Sequence, residues 1–406
     1  MDDGFVIVGG GLAGGKAAEA LRGQGYDGPL TLIGSEQHRP YERPPLSKAY
    51  LARSQPLEKA YVHPAEWYGE HEVALRTGTS VTAIDRAAHR LRLADGSELG
   101  YRKLLLATGA SPRTLPLSGL DAPNVYTLRT IADSDVLAET FASGGRLLVI
   151  GAGWIGLEVA AVARQAGVEV SIVESAELPL LRVLGPELAS VFADLHREQG
   201  VDLHFGAQLT GIETAAGRAT GLRLADGTVL DGDAVLVSVG VAPNVQLAAE
   251  AGLDVDNGVL VDASLVSSDP DIVACGDVAN AFSPFYDKRI RVEHWATALK
   301  QPATAAQSML GESATYDELP YFYSDQYDLG MEYLGYVEPG GYDQVVFRGN
   351  RDGREFIAFW LAGGRVIAGM NVNVWDVTDP IKALIRSGRQ VDPGRLADTS
   401  VSLDTV

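Results

Sequence analysis

Two short apolar runs, each broken by a glycine-rich turn, organise the hydrophobic pattern of this chain. Phe5-Val6-Ile7-Val8 leads into Gly9-Gly10-Gly11-Leu12-Ala13-Gly14, and Leu147-Leu148-Val149-Ile150 leads into Gly151-Ala152-Gly153-Trp154-Ile155-Gly156. Residues 4–36 therefore read as strand, helix over 15–22, and strand over Leu30-Thr31-Leu32-Ile33. A second strand–turn–helix unit spans 146–174 and is followed by a helix over 186–199. Alternating runs over 88–93 and 103–106, split by Asp95-Gly96, end in the small residues Ala107-Thr108-Gly109. The same order recurs later: an alternating pair around Asp226-Gly227, then an apolar run over 234–239 ending at Gly240. That repetition predicts an internal duplication of one architecture. From about residue 318 aromatics cluster, and short runs over 344–348, 355–361 and 365–371 are separated by Asp352-Gly353 and Gly363-Gly364. These predict a small antiparallel sheet closed by a helix over 380–387. The expected fold is α/β: two Rossmann-like dinucleotide-binding domains plus a small α+β C-terminal domain.

The glycines carry chemistry. A strand that turns sharply into a helix lets a pyrophosphate approach the backbone and meet the N–H groups of the first helical turn. Each turn has an acid after the next apolar run, Glu36 in the first unit and Glu174 in the second, placed to bind a ribose 2′-hydroxyl. Two such fingerprints imply two dinucleotides, and two dinucleotides imply electron transfer between them.

Composition narrows the class. A chain of 406 residues exceeds one ordinary core, and 46% apolar residues fit a fully folded protein. A net charge of −20 argues against nucleic acid or an anionic membrane surface as partner. No apolar stretch is long enough for a transmembrane helix, and the acidic Met1-Asp2-Asp3-Gly4 start is unlike a secretory signal, so a cytoplasmic location is expected. The lone Cys275 cannot form an internal disulfide and reads as a buried small residue, and no metal cluster is expected. Electrons must therefore leave the chain for an external acceptor.

Together these segments resemble the flavoprotein ferredoxin reductases of putidaredoxin-reductase and biphenyl-dioxygenase-reductase type. The resemblance covers essentially the whole chain. It rests on both turns and on Arg43-Pro44-Pro45-Leu46-Ser47-Lys48, Ala107-Thr108-Gly109, Gly240-Val241-Ala242-Pro243-Asn244, Cys275-Gly276-Asp277 and Val292-Glu293-His294-Trp295. It implies a discontinuous FAD domain (1–110 and 237–317), an NAD domain (111–236) and a C-terminal domain (318–406). FAD would lie on Gly9, Gly11, Leu12, Ala13 and Gly14, with Glu36 on its adenosine ribose and Arg43 nearby. Lys48 would approach the flavin ring, Ala107, Thr108 and Gly109 would line its passage, and Gly276 with Asp277 would bind the ribitol chain. Val81, Arg129, Glu293 and His294 are further FAD positions, and Trp295 would sit near the isoalloxazine. NADH would use Gly151, Gly153, Trp154, Ile155, Gly156, Glu174, Arg182 and Gly240, with Glu158 close to where the nicotinamide stacks.

Lys48 and Glu158 are the candidate catalytic pair, a fixed positive charge with its carboxylate partner beside the flavin. Hydride transfer between stacked rings asks the protein for position and electrostatics, while the cofactor supplies the chemistry. The implied acceptor is a [2Fe–2S] ferredoxin feeding a cytochrome P450 or a ring-hydroxylating dioxygenase. A reductase for rubredoxin or another carrier is the alternative. Peroxide-reducing relatives carry a cysteine where this chain has Ser47, and the DNA-binding flavoproteins would want a basic face. Docking of an acidic ferredoxin needs local basic residues, for which Lys288, Arg289, Arg291, Lys300, Lys382 and Arg386 are candidates. The glutathione-reductase dimer relies on a C-terminal histidine, and residues 318–406 contain none, so a monomer or weak dimer is expected.

Overall fold

A computed structural model describes residues 3–406. The chain forms two compact units, one made of residues up to Pro44 with Pro56–Ser111 and Val241–Pro320, the other of Pro45–Gln55, Pro112–Gly240 and Tyr321–Val406.

In the first unit the apolar runs assemble a parallel sheet in the order Ile272–Ala274, Lys103–Leu106, Phe5–Val8, Leu30–Ile33, Val73–Arg76. Phe5–Val8 is central, with the second strand on one side and Lys103–Leu106 on the other. Its carboxyl end is thus the point where strand order reverses, the usual place for a ligand in such sheets. Ile7, Leu32 and Leu105 are sealed in the core, each contributing roughly 1.5–3 kcal/mol by burial. The helix after the first turn runs Leu12–Gly23, three residues earlier than the sequence pattern predicts. Glycines count against helix propensity, but here Gly14 and Gly15 are packed inside the first turns.

The two alternating runs on either side of Asp95-Gly96 go to different sheets. Arg90–Leu93 joins Val81–Asp85 and Glu98–Gly100 in a separate antiparallel sheet, whereas Lys103–Leu106 is a parallel strand beside Phe5–Val8. The turn at Asp95-Gly96 closes on Glu98–Gly100, a strand too short to show in the alternation.

The second unit repeats the plan. Its parallel sheet runs Asp202–Phe205, Glu169–Glu174, Arg146–Ile150, Ala234–Val237, Val125–Tyr126, again with the strand before the glycine turn at the centre. Helix Trp154–Gln165 follows that turn. Helix Leu181–Glu198 is interrupted at Gly185 (φ 74°), and Pro186 restarts it, as the sequence reading of a helix from 186 implied. A five-stranded antiparallel sheet, ordered Tyr321–Gln326, Leu329–Gly335, Arg365–Val372, Glu355–Ala362, Gln344–Asn350, belongs to the same unit, with helix Thr378–Ser387 on it. Trp154 contacts Phe322 of that sheet, and Trp360 donates to Leu184 O at 3.2 Å.

Candidate functional site

The first glycine turn is built for close approach. Gly9 has φ 132°, and a Cβ there would lie 2.0 Å from Ala107 O; one on Gly14 would lie 1.9 Å from Gly9 O. Gly11, the N-cap of helix Leu12–Gly23, has open space where a Cβ would be, no side-chain cap and no acid in the first turn. The N–H groups of that turn are left for a ligand, and a 12-residue helix dipole favours an anion there. Gly276 (φ 76°) packs against Ala13 so tightly that a Cβ would meet Ala13 Cβ at 3.0 Å, which brings the Gly276–Val278 turn and Asp277 beside the start of the helix. Glu36 accepts from Tyr41 Oη at 2.5 Å and pairs with Arg43 at 3.1 Å. This cradle of open backbone, fixed carboxylates and small residues fits the FAD expected on it.

Two further motifs meet in this unit. Thr108 Oγ1 donates to Asn244 O at 2.9 Å, Asn244 Nδ2 donates to Thr108 O at 2.8 Å, and Asn244 N donates to Gly109 O at 2.9 Å. His294 caps helix Trp295–Met309, and burial pushes its imidazole down to about 4 against a raising pull from Asp277. Trp295 Nε1 donates to Glu42 Oε2 at 3.0 Å. Glu293 pairs with Arg291. Val81 opens its hairpin strand opposite Leu93. Cys275 is buried, and burial raises its thiol to about 12, so it is an inert small residue as the sequence suggested.

The second turn repeats the geometry. Gly151 has φ 98° with a would-be Cβ 2.3 Å from Ser238 O, Gly156 would meet Gly151 O at 2.3 Å, and the N-cap Gly153 faces open space. Glu174 is clamped: Oε2 accepts Ala152 N–H at 2.8 Å, and Oε1 accepts Ala176 N–H at 2.8 Å and Ser175 Oγ–H at 3.1 Å. Its carboxylate is thereby tied to the glycine turn itself. Arg182 is exposed and lines a cleft of about 360 Å³ with Pro186, Val337 and Tyr342. Gly240 O accepts Arg113 N–H at 2.9 Å. Ile155 lies in the first turn of helix Trp154–Gln165, and Arg129 N donates to Asp133, the capping-box residue of helix Ile131–Ala142. The donor set fits a pyridine dinucleotide on this turn.

Lys48 and Glu158 form an ion pair, Nζ to Oε2 at 2.6 Å, with side chains only 16% and 6% exposed. Ser47 Oγ donates to the same Oε2 at 2.5 Å, and Ser324 Oγ donates to Oε1 at 2.7 Å. Lys48 Nζ also stands 5.5 Å from the Tyr323 ring centre. The loop that carries Lys48 is fastened to helix Ile131–Ala142: Ser134 Oγ donates to Leu46 O at 2.9 Å, while Tyr50 and Arg53 both bond Asp135. Sequence reading named the pair but missed Ser47 as its partner, and it missed Ser324 and Tyr323 altogether. The available signal was polar residues on the inward face of an alternating strand, Phe322, Ser324 and Gln326 being buried in Tyr321–Gln326. Burial raises the Asp325 carboxyl, with Lys48 lowering it and Glu158 and Glu332 raising it further.

The basic docking candidates differ in their surroundings. Arg291 is 7% exposed and paired with Glu293, Arg289 donates to the carbonyls of Val261 and Asn280, and Lys300 pairs with Glu318 at 3.2 Å. Lys382 and Arg386 lie one turn apart on helix Thr378–Ser387, both half-buried.

Residues 4–302 match the pyridine nucleotide-disulphide oxidoreductase family, and residues 321–406 match the reductase C-terminal domain. The chain belongs to the pyridine nucleotide-disulphide oxidoreductases, among the ferredoxin reductases of putidaredoxin-reductase type. It is 43% identical over 406 residues to the ferredoxin–NAD(+) reductase component of an anthranilate 1,2-dioxygenase system from Burkholderia cepacia, covering 99% of each chain. It is 39% identical over 410 residues to the putidaredoxin reductase of Pseudomonas putida, covering 100% of this chain and 97% of that one. Its fold matches the reductase in a covalent putidaredoxin reductase–putidaredoxin complex with a TM-score of 0.94 at 38% identity, over 99% and 97% of the two chains. It matches a ferredoxin reductase from Rhodopseudomonas palustris with a TM-score of 0.95 at 38% identity, over 99% of both. Membership implies FAD and NADH as cofactors. Among the described residues no helix is long and apolar enough to cross a membrane.

Proposed function

We propose that this chain is an NADH-dependent flavoprotein reductase delivering electrons to a [2Fe–2S] ferredoxin that serves an oxygenase, acting in the cytoplasm as a monomer or weak dimer. The FAD domain takes residues 1–110 and 237–317, the NAD domain 111–236 and the C-terminal domain 318–406. The reading is carried by one observation: two glycine turns with the same close-approach geometry and the same open helix N-terminus in a single chain. When bound, FAD supplies a group that accepts a hydride from NADH and gives up single electrons to an iron–sulfur carrier. The residues around it hold and orient. Backbone N–H groups of the two turns would hold the pyrophosphates, Glu36 and Glu174 the riboses, and Asp277 the ribitol chain. Lys48, held by Glu158 at 2.6 Å, would offer a fixed positive charge to the bound flavin.

The test is stopped-flow reduction by NADH followed by mixing with a purified [2Fe–2S] ferredoxin. Rapid oxidation of the reduced protein by the ferredoxin is expected. Reversing Lys382 and Arg386 to Glu should slow that second step about tenfold at low salt, with reduction of a small dye unchanged. Equal loss of both activities would remove the docking role, and inertness toward every [2Fe–2S] carrier would remove the proposed acceptor.

A further inference from the structure

Glu158 stands at the head of a buried file of polar side chains that starts in the helix Leu181–Glu198 and passes through the C-terminal sheet. His196 Nε2 lies 2.9 Å from Gln326 Oε1, Gln326 Nε2 lies 3.1 Å from Ser324 Oγ, and Ser324 Oγ lies 2.7 Å from Glu158 Oε1. His196, Gln326 and Ser324 are each at most 1% exposed. Packing alone would have used apolar residues on this face, as Phe322 does two positions earlier. A buried polar side chain costs about 1–3 kcal/mol unless its hydrogen bonds are made.

The direction of every proton in the file follows from its last member. A carboxylate paired with Lys48 only accepts, so the single Ser324 hydroxyl proton goes to Glu158. Ser324 oxygen is then left to accept, and the Gln326 amide N–H supplies the bond. Gln326 Oε1 must in turn accept, which puts the imidazole proton of His196 on Nε2 and leaves Nδ1 facing Tyr327 Oη at 3.5 Å. All three donors thus aim at Glu158. Burial drives His196 down to about 4, so near neutral pH the ring carries a single proton.

We infer that Ser324, Gln326 and His196 are positioning residues for the Lys48–Glu158 pair: strand Tyr321–Gln326, backed by His196 of helix Leu181–Glu198, fixes one orientation of the Glu158 carboxylate and, through it, Lys48. This rests on the function proposed above only for what Lys48 does; the file itself is independent of it. Ser47 and Lys48 share Oε2, so Ser324 is the one side chain named here that holds Oε1. Without it only Oε2 is held, and the carboxylate can pivot about its terminal torsion, which is broad and shallow.

Two measurements on the full-length chain test this. In protein labelled with ¹⁵N-histidine, His196 should show a protonated Nε2 and a bare Nδ1, with or without flavin. Glu158→Gln puts a possible donor at the head of the file, so the His196 resonances should move toward a mixture of tautomers. Unchanged His196 resonances in that variant, or a protonated Nδ1 in the parent, would overturn the inference. In the flavin-loaded protein, Ser324→Ala should slow flavin reduction by NADH about tenfold while the NADH dissociation constant stays within about twofold. Ser324→Thr, which keeps the hydroxyl, should recover most of the rate. Parent-like reduction in Ser324→Ala would also overturn it. A parent chain that binds no flavin would instead remove the functional reading, leaving the histidine result to stand separately.

Discussion

Glu174 shows how much a single side chain decides. Its two oxygens are tied to Ala152, Ser175 and Ala176, so the carboxylate cannot swing away from the glycine turn, where the proposed function puts a dinucleotide ribose. Two ribose hydroxyls can donate to it, whereas a 2′-phosphate would bring like charge to within a few ångströms. NADH should therefore be preferred over NADPH by at least about tenfold in kcat/KM, and Glu174→Ala should narrow that margin. Comparable steady-state rates with the two coenzymes in the parent would contradict the role, with Arg182, exposed nearby, as the obvious relief. At this scale the sequence was informative wherever chemistry is local. Gly9, Gly14, Gly151 and Gly156 announce close approach because no other residue fits. Ser47, Ser324 and Gln326 were silent because their meaning comes from partners more than a hundred residues away in the chain, or two positions along a strand whose inward face is not visible from spacing alone.

Among the elements, helix Leu181–Glu198 has the clearest consequence. It meets the C-terminal sheet through His196, while Arg351 and Arg354 of that domain reach Ser190 and Glu198. The buried His196 titrates at about 4 in the folded chain against an ordinary 6.5 when unfolded. Above pH 6.5 both states are neutral and the group is indifferent. Between 6.5 and 4 the unfolded chain binds a proton that the folded chain refuses, so stability is lost as the pH falls. The loss approaches about 3 kcal/mol at the acid end. Denaturant unfolding followed from pH 7 to 4.5 should show this slope, flattened in His196→Gln, which keeps a donor toward Gln326. An identical slope in that variant would contradict the assignment. The residual slope belongs in part to His294, depressed in the same way. Element boundaries were legible where a residue marks them, as Pro186 marks the restart after Gly185. They were lost where a strand is short or its partner is distant: nothing in Lys103–Leu106 itself points to Phe5–Val8 as its neighbour.

For the molecule as a whole, duplication was the strongest signal in the sequence, and both parallel sheets confirm it with the glycine turn leaving the central strand in each. What order along the chain could not convey is that Pro45–Gln55, inserted between strands of the first unit, is grouped with the second. Its attachment uses Ser134, Asp135 and Glu158, residues whose roles exist only in three dimensions. With 33 Lys and Arg against 53 Asp and Glu the chain is acidic overall, and Arg291 and Lys300 are paired with neighbouring acids, which reduces the cations open to an acidic partner. The central claim, that one chain carries FAD and receives electrons from NADH, is tested most directly by an anaerobic titration. Protein purified or reconstituted with FAD should show flavin absorption at one equivalent per chain, and one equivalent of NADH should bleach it. A chain that stays colourless after reconstitution, or a bound flavin that NADH leaves oxidised, would contradict the account.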